Sequence, residues 1–229
     1  MLSLPDVSSF AETILSIETR FDAEWSYDPI SGRYRGENGR FLSQKAIEAL
    51  IDGRINKLSA QLKDFTTRLI DGSITVDQWQ GSVREALKPA HIQATMVGAG
   101  GKAALSQADY GRIGQKLRGE YAYLQKFAST LLANGMSAPM ALARVGLYAE
   151  SVRSSWWEGT AIRQQRQGYS LMQRILDSQA QHCQDCLDYS ARGIVPLGSL
   201  PLPGQRCACR VRCRCSVRYL RQQAPVVQV

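Results

Sequence analysis

Six cysteines fall between Cys183 and Cys215, and none occurs earlier in the chain. Cys183 and Cys186 form a CxxC, which presents two sulfurs from one tight turn. Twenty residues later come Cys207, Cys209, Cys213 and Cys215. Zinc takes four ligands in a tetrahedron with sulfur at about 2.3 Å, and a CxxC with a second cysteine pair meets that demand. The loop between the two groups carries Pro196, Pro201 and Pro203 and has little else to hold it folded. A bound metal would supply that stability. The expectation is one structural Zn²⁺ on four of Cys183, Cys186, Cys209, Cys213 and Cys215, with Cys207 in reserve as the free thiol. His182, beside Cys183, is expected to act as a hydrogen-bond donor to the ligands and not as a ligand itself.

Disulfides are the second reading, open to a protein that ends in an extracellular particle. A [4Fe–4S] cluster usually draws on closely spaced CxxC runs that this segment lacks. A redox CxxC of the thioredoxin kind needs a βαβ setting. The same segment is strongly basic. No Asp or Glu follows Asp188, whereas Arg192, Arg206, Arg210, Arg212, Arg214, Arg218 and Arg221 do, against a net charge of +8 for the whole chain. Arg206, Arg210, Arg212, Arg214 and Arg218 are therefore candidates for contact with an acidic partner or with phosphate.

In this order of motifs the chain resembles the phage head morphogenesis, or Mu F-like minor capsid, family. The resemblance lies in Cys183-Gln-Asp-Cys186, the Leu200-Pro-Leu-Pro-Gly204 loop and Cys213-Arg-Cys215, and it covers the chain from Cys183 onward. The family commonly has a His-Pro step before its final Cys-Arg-Cys; here Cys209 takes the nearest equivalent place. The resemblance implies a minor head component of a tailed phage, associated with portal or capsid proteins, found in the virion and in the host cytoplasm during assembly. It implies a homo-oligomer that can also touch packaged DNA. The alternative is a nucleic-acid-binding zinc protein, acting as a soluble regulator or packaging factor, whose arginines contact phosphates.

Hydrophobic content of 44% and charged content of 21% suit a globular chain. Met1 to Phe10 lacks a basic start followed by an apolar core, so synthesis in the cytosol is expected. No apolar run is long enough to span a membrane. No GxSxG or HExxH motif occurs, and the only other histidine, His91, is expected at the surface or at a helix cap. No enzymatic role is expected.

The elements that must carry the cysteines read as mainly α: helical hairpins or a bundle, with an extended N-terminal arm and a small irregular C-terminal zinc module. Phe10, Ile14, Ile17 and Phe21 predict a first amphipathic helix. Residues 27–41, rich in Gly, Tyr and Arg, predict an extended arm or hairpin that reaches a neighbouring subunit. Ser43 should cap a helix carrying Ile47, Ile51, Ile55, Leu58, Leu62, Phe65 and Leu69, ended by Gly72. Thr75 and Gln78 form a capping box ahead of Trp79, Val83 and Leu87. Pro89 should interrupt that helix, with Gly98, Gly100 and Gly101 as a hinge or a close packing point. Ile113 to Leu131 predicts a helix ended by Asn134-Gly135. A last helix begins at Ser137 and is expected to run towards Ala180, weakened at Gly168. The resulting division is 1–42 for helix and arm, 43–182 for the helical body, 183–220 for the cysteine module and 221–229 for a tail.

Overall fold

The computed structural model describes residues 25–133 and 135–222. The expected first helix, the stop at Asn134 and most of the expected tail lie outside the described residues.

Two short strands, β1 (Trp25–Asp28) and β2 (Arg33–Gly36), form an antiparallel hairpin. Four long helices follow: α1 (Gln44–Ile70), α2 (Val76–Ala99), α3 (Gln107–Ala133) and α4 (Ala138–Arg166). The C-terminal part holds β3 (Leu171–Ile175), the short helix α5 (Gln184–Ala191), β4 (Val195–Pro196) and β5 (Ser216–Leu220). Its sheet has the order β4-β3-β5, with both pairings antiparallel.

Local chemistry sets the helix starts. The Ser43 hydroxyl accepts from the Ala46 amide at 3.1 Å, and Thr75 and Gln78 close the capping box in both directions. Gly72, at φ +80°, follows α1 in the left-handed conformation that a side chain resists. The apolar stripes then face inward: Ile47, Ile51, Ile55 and Leu62 of α1 meet Trp79, Val83 and Leu87 of α2, all at most 2% exposed. Burial of such stripes, more than helix propensity, holds these helices.

Helices α2 and α4 cross backbone to backbone. A Cβ placed on Gly98 would lie 2.6 Å from the Thr160 amide nitrogen, and one on Gly159 would lie 2.9 Å from the Ala99 nitrogen. Gly98 is thus a packing point, one of the two roles expected for the glycine run. Pro89 does not interrupt α2, contrary to expectation. A proline inside a helix costs about 3 kcal/mol, yet the flanking Leu87 and Ile92 are fully buried, so packing on both sides outweighs the break.

Three more expectations are corrected. Of the two forms expected for residues 27–41, the structure shows the hairpin and not the extended arm. Trp25 and Tyr34 are buried in the chain's own core, and the Tyr34 hydroxyl donates to the Val97 carbonyl. The turn at Ile30, 97% exposed, and the stretch from Glu37 to Phe41 remain at the surface. The last long helix ends at Arg166, and the stretch expected to continue it is β3. Because β3 pairs with β5, a division at Cys183 cuts through a sheet. Met172, Leu200 and Val217 also join the same apolar core as the helices. Finally, His91 is fully buried and not at the surface. Its Nδ1 lies 2.8 Å from Ser155 Oγ and its Nε2 lies 3.5 Å from Glu120 Oε2.

That buried pair makes stability sensitive to acid. Burial alone would raise the Glu120 carboxyl, but the His91 charge, hydrogen bonds from His91 and Ser151, and the Lys116 charge bring it below its ordinary 4.5. Asp109 is opposed by burial too, and is drawn well below 3.8 by Ser106, Arg112 and Arg166. Both carboxylates are depressed in the fold, so their contribution is present above their unfolded values and is lost as pH falls through and below them. Urea midpoints should therefore drop from pH 4.5 downward, and Glu120→Gln should flatten that part of the profile. An unchanged acid limb in Glu120→Gln would refute the assignment.

Candidate metal centre

Cys183 is the N-cap of α5, and Cys186 sits in the first turn, its amide donating to the Cys183 carbonyl at 3.0 Å. The CxxC thus lies where helix amides favour a thiolate. Side-chain and backbone bonds bring the distant cysteines onto this turn. Asp185 Oδ2 accepts from the Ala208 amide at 2.8 Å, and the Tyr189 hydroxyl donates to the Arg206 carbonyl at 2.7 Å. A 3₁₀ turn over Arg210–Arg212 then folds Cys213 back, with the Cys213 amide donating to the Arg210 carbonyl at 3.0 Å. Cys215 follows immediately before β5, whose pairing with β3 fixes it in place.

The result is a sulfur cluster. Cys183, Cys186 and Cys207 have their ligand atoms within 4.8 Å of one another, and so do Cys186, Cys213 and Cys215. Cys186 belongs to both sets and is fully buried, and Cys207, Cys213 and Cys215 are at most 6% exposed. The Cys186 and Cys213 sulfurs are 3.7 Å apart. Two sulfurs on one tetrahedral zinc stand about 3.8 Å apart, from a bond of about 2.3 Å. A disulfide would need about 2.05 Å.

The electrostatics suit a cation. Burial would raise Cys183, but the Cys186 amide and the Cys209 thiol and amide bring it down to about 7. Burial likewise opposes Cys213, which the Cys215 and Gly204 amides lower. Burial and the neighbouring sulfurs push Cys186 far up, so that in the metal-free cluster its proton stays on. A metal bound there would have to displace that proton, which would couple loading to proton release. Arg174 gives a second sign of anionic charge. It is fully buried, and its Nε and Nη1 have no hydrogen-bond partner, while its Nη2 donates to the Pro201 carbonyl. Its charge acts on Cys215. A buried guanidinium without an anion is costly, and a metal–thiolate cluster would provide one.

Cys207, expected in reserve, stands inside the first sulfur set with Cys183 and Cys186. Cys209 packs on the cluster's edge, against Cys183, and is less buried. Spacing alone could not rank the two, since the turn after Cys207 decides which one faces inward. Arg206, Arg210, Arg212, Arg214 and Arg218 are all exposed, so the cluster is clothed in positive charge. Sequence reasoning missed Arg174, whose place on the inner face of β3 carried no motif.

The buried His91, Ser155 and Glu120 superficially resemble a nucleophile with its base. Ser155 is fully buried and 2.8 Å from His91, so the trio belongs to the packed interior. No helix among the described residues is long and apolar enough to cross a membrane. Comparison with protein-family models, with curated proteins and with solved structures finds no match.

Proposed function

We propose that this chain is a structural component of a tailed-phage head or neck, in which a zinc-held C-terminal module docks onto portal or capsid proteins. The observation that carries this reading is the buried sulfur cluster under a shell of exposed arginines. It agrees with the motif order Cys183-x-x-Cys186, Leu200 to Gly204 and Cys213-Arg-Cys215 that resembles the Mu F-like family. A closed set of cysteines suits a structural metal, whose task is to hold shape; a catalytic zinc keeps a position open. A rigid module loses less entropy on docking than a free tail, and each guanidinium offers paired donors to a carboxylate. On this reading the chain has no catalytic role and assembles in multiple copies.

Protein gels and mass spectrometry of purified virions and procapsids test the reading. The chain should appear at a fixed ratio to the portal or capsid protein. Its absence from both particles would overturn it.

The exposed arginines also favour a second reading, a nucleic-acid-binding zinc protein. Each phosphate contact steepens the loss of affinity with salt by about one unit of log–log slope. Five engaged arginines would thus give duplex DNA binding a slope of roughly −4 to −5. Binding that is weak and flat with salt leaves only the docking role.

A further inference from the structure

Six cysteines and one histidine are more than a single zinc can take. The two sulfur sets, Cys183 with Cys186 and Cys207 and Cys186 with Cys213 and Cys215, overlap only at Cys186. Each set has a further potential donor at its edge. Cys209 lies against Cys183, its thiol and amide both bonding there. His182 lies beside the second set, with Nδ1 3.6 Å from Cys215 Sγ. A nitrogen and a sulfur on one tetrahedral zinc stand about 3.5 Å apart, given bonds of about 2.0 and 2.3 Å.

The histidine tautomer supports the same division. His182 Nε2 lies 2.8 Å from the Asp177 carbonyl oxygen, which can only accept, so Nε2 carries the hydrogen. In the neutral ring Nδ1 then has a bare lone pair directed at the Cys215 side. It cannot donate to a thiolate, the role expected from sequence, but it can ligate a metal. A ligating histidine held by a carbonyl on its other nitrogen is the usual support for such a ring.

We infer that the module holds two zinc ions that share the Cys186 sulfur: one on Cys183, Cys186, Cys207 and Cys209, the other on Cys186, Cys213, Cys215 and His182. A thiolate has lone pairs enough to bridge two cations, and Cys186 is fully buried between the two sets. Seven donors with one shared complete two tetrahedra and leave no cysteine over. Two divalent ions against six thiolates leave a net negative cluster, which is what the buried, half-unpartnered Arg174 faces. The arrangement also explains how a module with so little apolar core keeps its shape, since both ends of the 186–207 loop and the start of β5 are tied to one centre.

This inference rests on the metal-binding reading above, and a cobalt titration separates the two. Co²⁺ replaces Zn²⁺ in tetrahedral thiolate sites and absorbs through sulfur-to-metal charge transfer and ligand-field bands. The full-length chain, stripped of metal under reducing conditions, should saturate at two equivalents of Co²⁺. His182→Ala should lose the second equivalent and keep the first. Cys186→Ser should disturb both. Saturation of the wild type at one equivalent would overturn the shared-sulfur pair and leave a single-metal site standing. Two equivalents unaffected by His182→Ala would overturn the assigned ligands. No cobalt uptake would overturn the metal reading as well.

Discussion

Gly159→Ala should destabilise the protein by about 3 kcal/mol or more, near the upper end of what forced overpacking costs. The added methyl would fall against the backbone of α2, at the Thr95 carbonyl and the Ala99 nitrogen. Backbone cannot step aside as a flexible side chain can, so the helices must separate. Their separation loosens Val97 and Trp156, both buried beside the crossing. For a chain of this size the melting temperature should fall by roughly 2–4 °C per kcal/mol. Gly146→Ala, on the same helix, is the control. Its Cβ would meet nothing closer than 3.6 Å, and replacing a helical glycine gains about 0.5–1 kcal/mol. Equal effects at the two positions would show that the close crossing does not limit stability.

Cys186→Ser should release the C-terminal module with a larger local effect than any other cysteine change. Cys186 is the sulfur common to both clusters, so its loss breaks the set at its centre. Zinc binding in small metal-held modules is worth about 10–16 kcal/mol, whereas whole domains are stable by about 5–15 kcal/mol. The segment between β3 and β5 should therefore lose its order without its ligands. Proteases should cut within 176–215 in Cys186→Ser or after chelation. The far-ultraviolet spectrum should remain helical, because α1 to α4 have their own buried stripes. Met172 and Val217, however, share the helical core, so a modest fall in melting temperature should accompany the loss. Unchanged protease resistance after metal removal would contradict the module's dependence on metal.

Much of this architecture was legible because its signals are local. The stripe from Ile47 to Leu62, the Thr75 box and the Gly72 stop each follow from residues within a few positions of one another. The cysteine cluster was legible too, since CxxC and CxC spacing is chemistry written in sequence. What escaped depended on distant partners. Leu171 to Ile175 has the period of a strand, but its inner face carries Met172 and Arg174, and a buried arginine hides the apolar alternation. Pro89 reads as a break until the packing of Leu87 and Ile92 is known. His91 carried no sign of its burial, because Glu120, Ser151 and Ser155 lie on other helices. The aromatics of residues 27–41 look like interface anchors, yet Tyr34 is buried against the chain's own α2, while Phe41 stays partly exposed beneath Arg33 and Arg35. Cys207 lies between two non-glycine residues in the left-handed conformation, Arg206 at φ +43° and Arg210 at φ +48°, which no spacing rule anticipates.

The most direct test of the account is the metal and thiol content of the intact chain purified under reducing conditions. Elemental analysis with native mass spectrometry should find zinc bound at no less than one equivalent, and two if Cys186 is shared. Acid or chelator should expose all six thiols of the chain to alkylation. A metal-free chain whose six cysteines are paired as disulfides would contradict it.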